Sequence, residues 1–336
     1  MNANQLLQDP PAVSVDQDGS EIMSQVNHAS PIPDETLEVE PEATLHTKAM
    51  MLLAVIGPLV GVGIAAALSM QFGLASWEYI AMALIGWVAT SLGVTIGFHR
   101  LLSHKSFDTY RWVRACWMAL GAMSVEGAPL TWCAVHRRHH SHSDRAGDPH
   151  SPNLHGDGFI GMLKGLWHGQ VGWLFTGYWS EPNYEKWIPD LIKDKTLFRI
   201  NNNYGWLVLL SLIIPTAIGY MLDGWFGMAL GFVWGGLVRV FITHHMTWSI
   251  NSVCHVFGKR DFKSSDHSTN NIFCGILAHG EGWHNNHHAF PSSARHGLKW
   301  WQFDLSWIII RTMKLCGLAW NVKTPSAHAL ASKKIT

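Results

Sequence analysis

Apolar residues along this chain gather into four runs, 45–70, 77–98, 205–222 and 224–243. Each is about 18 to 26 residues long, enough at about 1.5 Å per residue to carry a helix across a bilayer core. The stretch 112–132 is apolar only in part. Glu126, Gly127 and Pro129 interrupt it, so it is expected to form a helix lying on or under the membrane, with Glu126 turned towards something polar or a reaction cavity. Residues 297–318 alternate in the manner of an amphipathic helix and are rich in Trp, which suits a membrane interface. The pattern predicts an all-α integral membrane protein: four transmembrane helices under a helical cap formed by 99–204 and 244–322. Residues 1–46 form a tail, 47–322 the membrane domain and 323–336 a second tail.

Charge orients this arrangement. The short turns 71–76 and 223–224 contain neither Lys nor Arg, whereas the segments of the cap hold most of them, so the cap and both termini are expected in the cytoplasm. Arg239, near the end of the fourth run, is expected to snorkel to the interface. Residues 1–46 carry nine Asp and Glu, no Lys or Arg and several Pro, a composition expected to be disordered. The string Gly61-Val62-Gly63-Ile64-Ala65-Ala66 imitates a dinucleotide-binding loop, but no strand precedes it; small residues for close helix packing explain it better. Five cysteines without a paired spacing point to packing in a reduced compartment.

The chemistry lies in the histidines, of which there are 21. His284, His287 and His288 stand at i, i+3 and i+4, which on a helix brings three imidazoles within about 100° of arc. His136, His139 and His140 repeat the pattern. His99 and His104, five apart, would diverge by about 140° on a regular helix and so serve two neighbouring metals. Asn251 and His255 share a face at i, i+4. Together these clusters predict a polynuclear metal centre in the cap, although imidazole ligands alone suit iron, zinc, copper or nickel.

Four strings carry a resemblance to a known family: Gly97 to His104 as G-x-H-R-L-x-S-H, His136 to His140 as H-R-x-H-H, Asn251 to His255 as N-S-x-x-H, and Gly280 to His288 as G-E-G-x-H-N-x-H-H. Over residues 50–322 the chain resembles the membrane fatty acyl desaturases of the stearoyl-CoA Δ9 type. The stretch Ala294 to Gln302 is similar to the cyanobacterial and plant members. The resemblance implies two irons held by His99, His104, His136, His139, His140, His255, His284, His287 and His288, with Asn251 holding a water on one of them. It implies that O2 and two electrons are consumed to place a cis double bond, Δ9 by that likeness, in a saturated acyl chain. The electrons would come from a separate ferredoxin or b-type cytochrome, since neither a haem motif nor a credible nucleotide fingerprint is present. Trp132, Thr247 and Trp248 match positions lining the acyl tunnel, to which Glu126 is added as a candidate contact. Asp148 and Glu281 are expected to orient the imidazoles, with Asp108, Asp144 and Asp304 as further candidates.

One departure bears on the substrate. Animal acyl-CoA enzymes of this type carry Arg-Asp before H-R-x-H-H as a CoA contact, and here Ala134 and Val135 stand there. The chain is therefore expected to act on acyl-CoA or on an acyl-lipid, and not on nucleic acid. The alternatives are a di-iron alkane or lipid hydroxylase and, more remotely, a histidine-rich metal transporter. The triplets sit in helical spacing rather than in low-complexity tracts, which disfavours the transporter.

Overall fold

The computed structural model describes residues 41–73 and 76–335. The acidic stretch 1–40 and part of the 71–76 turn lie outside the described residues. Three helices are long and apolar enough to cross a membrane: α1 (Leu45–Phe72), α2 (Trp77–Ser103) and α7 (Tyr204–His255). Between α2 and α7 stand α3 (Arg111–Ala122), α4 (Pro129–His142), α5 (Gly158–Gln170) and α6 (Lys195–Asn202). After α7 come α8 (Ile272–Leu277), α9 (His284–Ala289), α10 (Leu305–Leu315) and α11 (Ala327–Lys333). Ala327–Lys333 is packed rather than trailing, with Ala329 and Leu330 against Phe262 and Phe290.

Helix α7 reverses direction within itself. Asp223 and Gly224 leave helical geometry, Gly224 with φ at 59°, a conformation that glycine adopts without a Cβ clash. Beyond the break the chain runs back along itself, Gly227 against Gly219 and Gly231 against Pro215, with no room for a Cβ between them. Tyr79 on α2 ties down the corner by donating its hydroxyl to Asp223 Oδ2 at 2.6 Å. In the same way Gly61 lets α1 press on Leu237, as expected of the string, whereas Gly63 has no neighbour within 4 Å of its Cβ position.

Two expectations about the spans need correction. Arg239 does not snorkel: it is 1% exposed. Its guanidinium donates to the carbonyls of Met123, Ser211 and Gly235 and to the Ser211 hydroxyl, so the charge is solvated by protein and needs no interface. The stretch 112–132 is not one helix either. It breaks between α3 and α4, where Val125 and Gly127 take positive φ and Glu126 is turned into the protein.

Candidate metal centre

Helices α2, α4, α7 and α9 deliver the nine histidines into two groups. His99, His104, His136, His140 and His287 form one, and His139, His255, His284 and His288 the other; within each group the ligand nitrogens lie within 4.8 Å of one another. The Nε2 atoms converge: His99 and His287 at 3.1 Å, His104 and His136 at 2.8 Å, His140 and His287 at 2.9 Å, His255 and His284 at 3.0 Å, His139 and His288 at 3.3 Å. Nitrogens each about 2.0–2.1 Å from a common ion stand roughly 3 Å apart when adjacent, so the spacing fits a first-row metal.

The partition differs from the sequence expectation in two ways. Each triplet divides between the groups, His136 and His140 from His139, and His287 from His284 and His288, so α4 and α9 each bridge both sites. His99 and His104 join the same group, because the last turns of α2 widen: the His104 N–H donates to the His99 carbonyl, i+5 to i, at 3.1 Å. A turn closed over five residues brings together, edge to face at 4.8 Å, the two rings that a regular helix would splay.

Carboxylates hold the rings. Asp148 lies 2.9 Å from His139 Nδ1, Asp144 2.9 Å from His255 Nδ1, Glu281 2.6 Å from His99 Nδ1 and Asp266 2.6 Å from His288 Nδ1. An acceptor at Nδ1 keeps the proton there and leaves the Nε2 lone pair for a metal. Asp266 was not foreseen; it precedes His288 by 22 residues in a loop whose sequence carries no motif. Asp144 takes a left-handed backbone, φ 57°, and also accepts from Ser151 and Asn153. Asp108 and Asp304 do other work. Asp108 sits on a two-residue strand and accepts from Asn321, and Asp304 pairs with buried Arg100 and caps α10 at Trp307 N. His296 stands beside the first group, its ring 4.6 Å from that of His287 and its Nδ1 3.3 Å from Glu281. His244 spends its Nε2 on the Val125 carbonyl.

The electrostatics suit ligation. Burial, then neighbouring imidazoles, hold His104, His136, His140, His284 and His287 well below the usual imidazole range, so they are neutral with lone pairs available. Burial takes His288 down to about 4 despite Asp266. For His139 burial also pulls down, but the Asp148 carboxylate outweighs it and the pKa rises. Burial pushes the carboxyls of Asp144, Asp148, Asp266 and Glu281 up, and their imidazole partners more than reverse this, leaving all four ionised.

A narrow cavity adjoins both histidine groups, lined by His99, His136, His139 and His284 and by Val94, Ile250 and Ala278. Trp132, Thr247 and Asn251 stand in its wall; Trp248 and Glu126 do not, and line a neighbouring cavity instead. Burial raises the Glu126 carboxyl to about 8, with Thr247 and Trp132 within hydrogen-bonding reach.

A helical protein with membrane-length spans, and two groups of mostly buried imidazoles opening on an apolar cavity, has the form of a membrane-bound metalloenzyme acting on a hydrocarbon. The fatty acid desaturase family matches residues 74–315. The chain is 43% identical over 294 residues to a hex-5-enoyl-[acyl-carrier protein] acetylenase of Moorena producens, covering 87% of this chain and 90% of that protein. It is 38% identical to an sn-1 stearoyl-lipid 9-desaturase of Anabaena variabilis, over 77% of this chain and 87% of the other. It is 37% identical to a Delta-9 acyl-lipid desaturase of Arabidopsis thaliana, over 75% and 77%. The chain belongs to the fatty acid desaturase family and is an oxidoreductase, an O2-dependent acyl desaturase.

Proposed function

We propose that the protein places a cis double bond at Δ9 of a saturated acyl chain carried on a membrane lipid, using two irons, O2 and electrons from a separate ferredoxin or b-type cytochrome. The observation that carries this reading is the convergence of nine imidazoles, six buried and three half-buried, in two groups beside an apolar cavity. Iron in the two groups supplies the oxidation by O2 that takes two hydrogens from adjacent methylenes. The protein's own residues do the rest: nine imidazoles bind, four carboxylates orient the rings of His99, His139, His255 and His288, and Asn251 in the cavity wall holds a water. Trp132 and Thr247 keep one methylene pair beside the metals, which matters because an unactivated chain offers no polar handle there.

The lipid carrier is favoured by the stearoyl-lipid and acyl-lipid relatives and by Ala134 and Val135 standing where a CoA contact would be. A chain on acyl-carrier protein is the second reading, favoured by the Moorena relative; acyl-CoA is the third. Four spans follow if each arm of α7 crosses once, which the antiparallel packing of Gly219 on Gly227 supports. The basic cap then faces the cytoplasm.

The test is lipid analysis by gas chromatography and mass spectrometry, with derivatisation that locates double bonds, in cells expressing the chain with a compatible donor. New Δ9 cis-monoenes esterified to glycerolipid, absent from a His287→Ala control, are expected. Hydroxylated chains in their place would overturn the reading in favour of a hydroxylase, and desaturated chains found only on carrier protein would move the substrate to the second reading.

A further inference from the structure

Between the end of α7 and the start of α8 the chain forms the irregular segment 256–271, and one dipeptide in it reaches two metal-ligating rings at once. Asp266 holds His288 Nδ1 at 2.6 Å. The backbone N–H of His267 donates to Asp144 Oδ2 at 2.8 Å, and the same oxygen holds His255 Nδ1 at 2.9 Å. Both rings belong to the second histidine group. Asp266 is buried and His267 exposed, so one peptide unit and a carboxylate separate solvent from each of two ligands of a single metal.

The surface around this dipeptide is basic. Segment 256–271 carries Lys259, Arg260 and Lys263, and both of its acids are engaged, Asp266 with His288 and Asp261 with Lys299 at 2.8 Å. The segment after α11 adds to the same face. The Lys263 N–H donates to the Lys333 carbonyl at 2.7 Å, Phe262 and Lys334 are antiparallel partners, and the Ile335 N–H donates to the Asp261 carbonyl at 3.1 Å. Lys333 Nζ donates to the Ala289 carbonyl at 2.7 Å, at the end of the helix that carries His288. Lys259, Lys263, Lys333 and Lys334 are all exposed, and among the described residues no carboxylate pairs with any of them.

Electron tunnelling falls off steeply with distance and is helped by bonded and hydrogen-bonded paths, so a donor to a buried metal must come to a face from which such a path is short. It must also leave after each electron. Exposed charge serves both needs, since it steers encounter and adds little to residence. We propose that the face formed by 259–267 and 333–335 is the docking site of the electron donor, an acidic protein with a one-electron redox group near its surface, and that electrons enter through the second histidine group. This rests on the desaturase reading above and adds where its partner binds. Each docking oxidises one carrier and passes one electron to the metal centre. Two such electrons and two protons, together with the two hydrogens taken from the acyl chain, reduce one O2 to two waters.

The experiment measures docking, so it stands whether or not turnover is obtained. Iron-loaded full-length protein in phosphatidylcholine nanodiscs is titrated with an oxidised plant-type ferredoxin and with the soluble haem domain of a b-type cytochrome, both of net negative charge. Complexes are fixed with a carbodiimide, which joins carboxylates to lysines in contact. At least one probe is expected to bind, more weakly as salt rises, with cross-links at Lys259, Lys263, Lys333 or Lys334. Lys263→Glu with Lys334→Glu should weaken binding by about tenfold or more, while iron content and the unfolding midpoint stay as they were. Lys193→Glu with Lys195→Glu, at the N-terminal end of α6, makes the same change of net charge outside this face and should leave binding as it is. Should the first pair prove unstable, Lys263→Gln with Lys334→Gln carries the same expectation in smaller measure. No binding by either probe at low salt, cross-links confined to other lysines, or equal losses in the two Glu pairs would overturn the proposal. So would shielding of the four lysines from an amine-reactive label by phosphatidylglycerol discs and not by the probes, which would assign the face to the bilayer. Docking and cross-links retained by a protein that makes no desaturated product would count against the proposed function alone.

Discussion

The backbone N–H of His104 reaches past the usual partner to the carbonyl of His99, 3.1 Å away, and this one bond decides how the metal centre is divided. It places both rings in a single group of five instead of one in each.

The wide turns of α2 depend on close packing against α3. Gly93 lies on the backbone of Leu120 and Gly121 with no space for a Cβ. Gly93→Ala must push the two helices apart, and overpacking of this kind costs about 1–3 kcal/mol. The expected outcome is a lower midpoint of thermal unfolding together with reduced iron content; an unchanged metal content would show that the register of α2 does not need this contact.

Asp266 should matter to the metal although it touches none. Replacing it by Asn removes the carboxylate that fixes the His288 ring at 2.6 Å. Loss of such an outer partner weakens metal binding by about 10–100-fold. Competition of iron against a chelator measures this, and Asp108→Asn, which alters only an exposed contact with Asn321, should leave the affinity unchanged.

How much of this was legible in the sequence follows from what each feature depends on. The spans and the histidine strings depend on periodicity and spacing, which the chain displays directly; hence the long helices and the gathering of His136, His139, His140, His284, His287 and His288 could be anticipated. The sharing of rings between the groups depends on a backbone turn closed over five residues and on how α4 and α9 face each other, and helical arithmetic assumes neither. Asp148 was readable because it follows His139 by only nine residues, whereas Asp266 acts across 22 residues of irregular chain. Arg239 was misjudged because its acceptors, Met123 and Ser211, come from two other segments.

Arg100 is completely buried and bonds both Glu281 and Asp304. Glu281 in turn holds His99 at 2.6 Å, so the guanidinium is the counter-charge for a ring-orienting carboxylate. Arg100→Met removes the one guanidinium shared by two buried carboxylates, a change that costs about 3–5 kcal/mol. Denaturant unfolding should report a loss of that size. In the double variant Arg100→Met with Asp304→Asn, where one of the stranded charges is gone, part of it should return.

Glu126 predicts a pH dependence of stability with a definite sign. Its carboxyl is raised from 4.5 to about 8 by burial, so the folded protein holds this proton more tightly than the unfolded chain does. Below about pH 4.5 both states are protonated and the contribution to stability is fully present. As pH rises from there the unfolded chain releases its proton while the folded one keeps it, so stability falls, on the order of a few kcal/mol in all, until the folded group itself ionises near 8. The Gln side chain has the shape of the neutral acid and cannot titrate. Glu126→Gln should therefore flatten this part of the profile, with the intact protein losing stability relative to the variant between pH 5 and 8. Unfolding midpoints of both proteins across that range measure the difference. Parallel profiles would mean that the carboxyl is already ionised in the fold, and with it that no O–H stands beside Thr247 and Trp132.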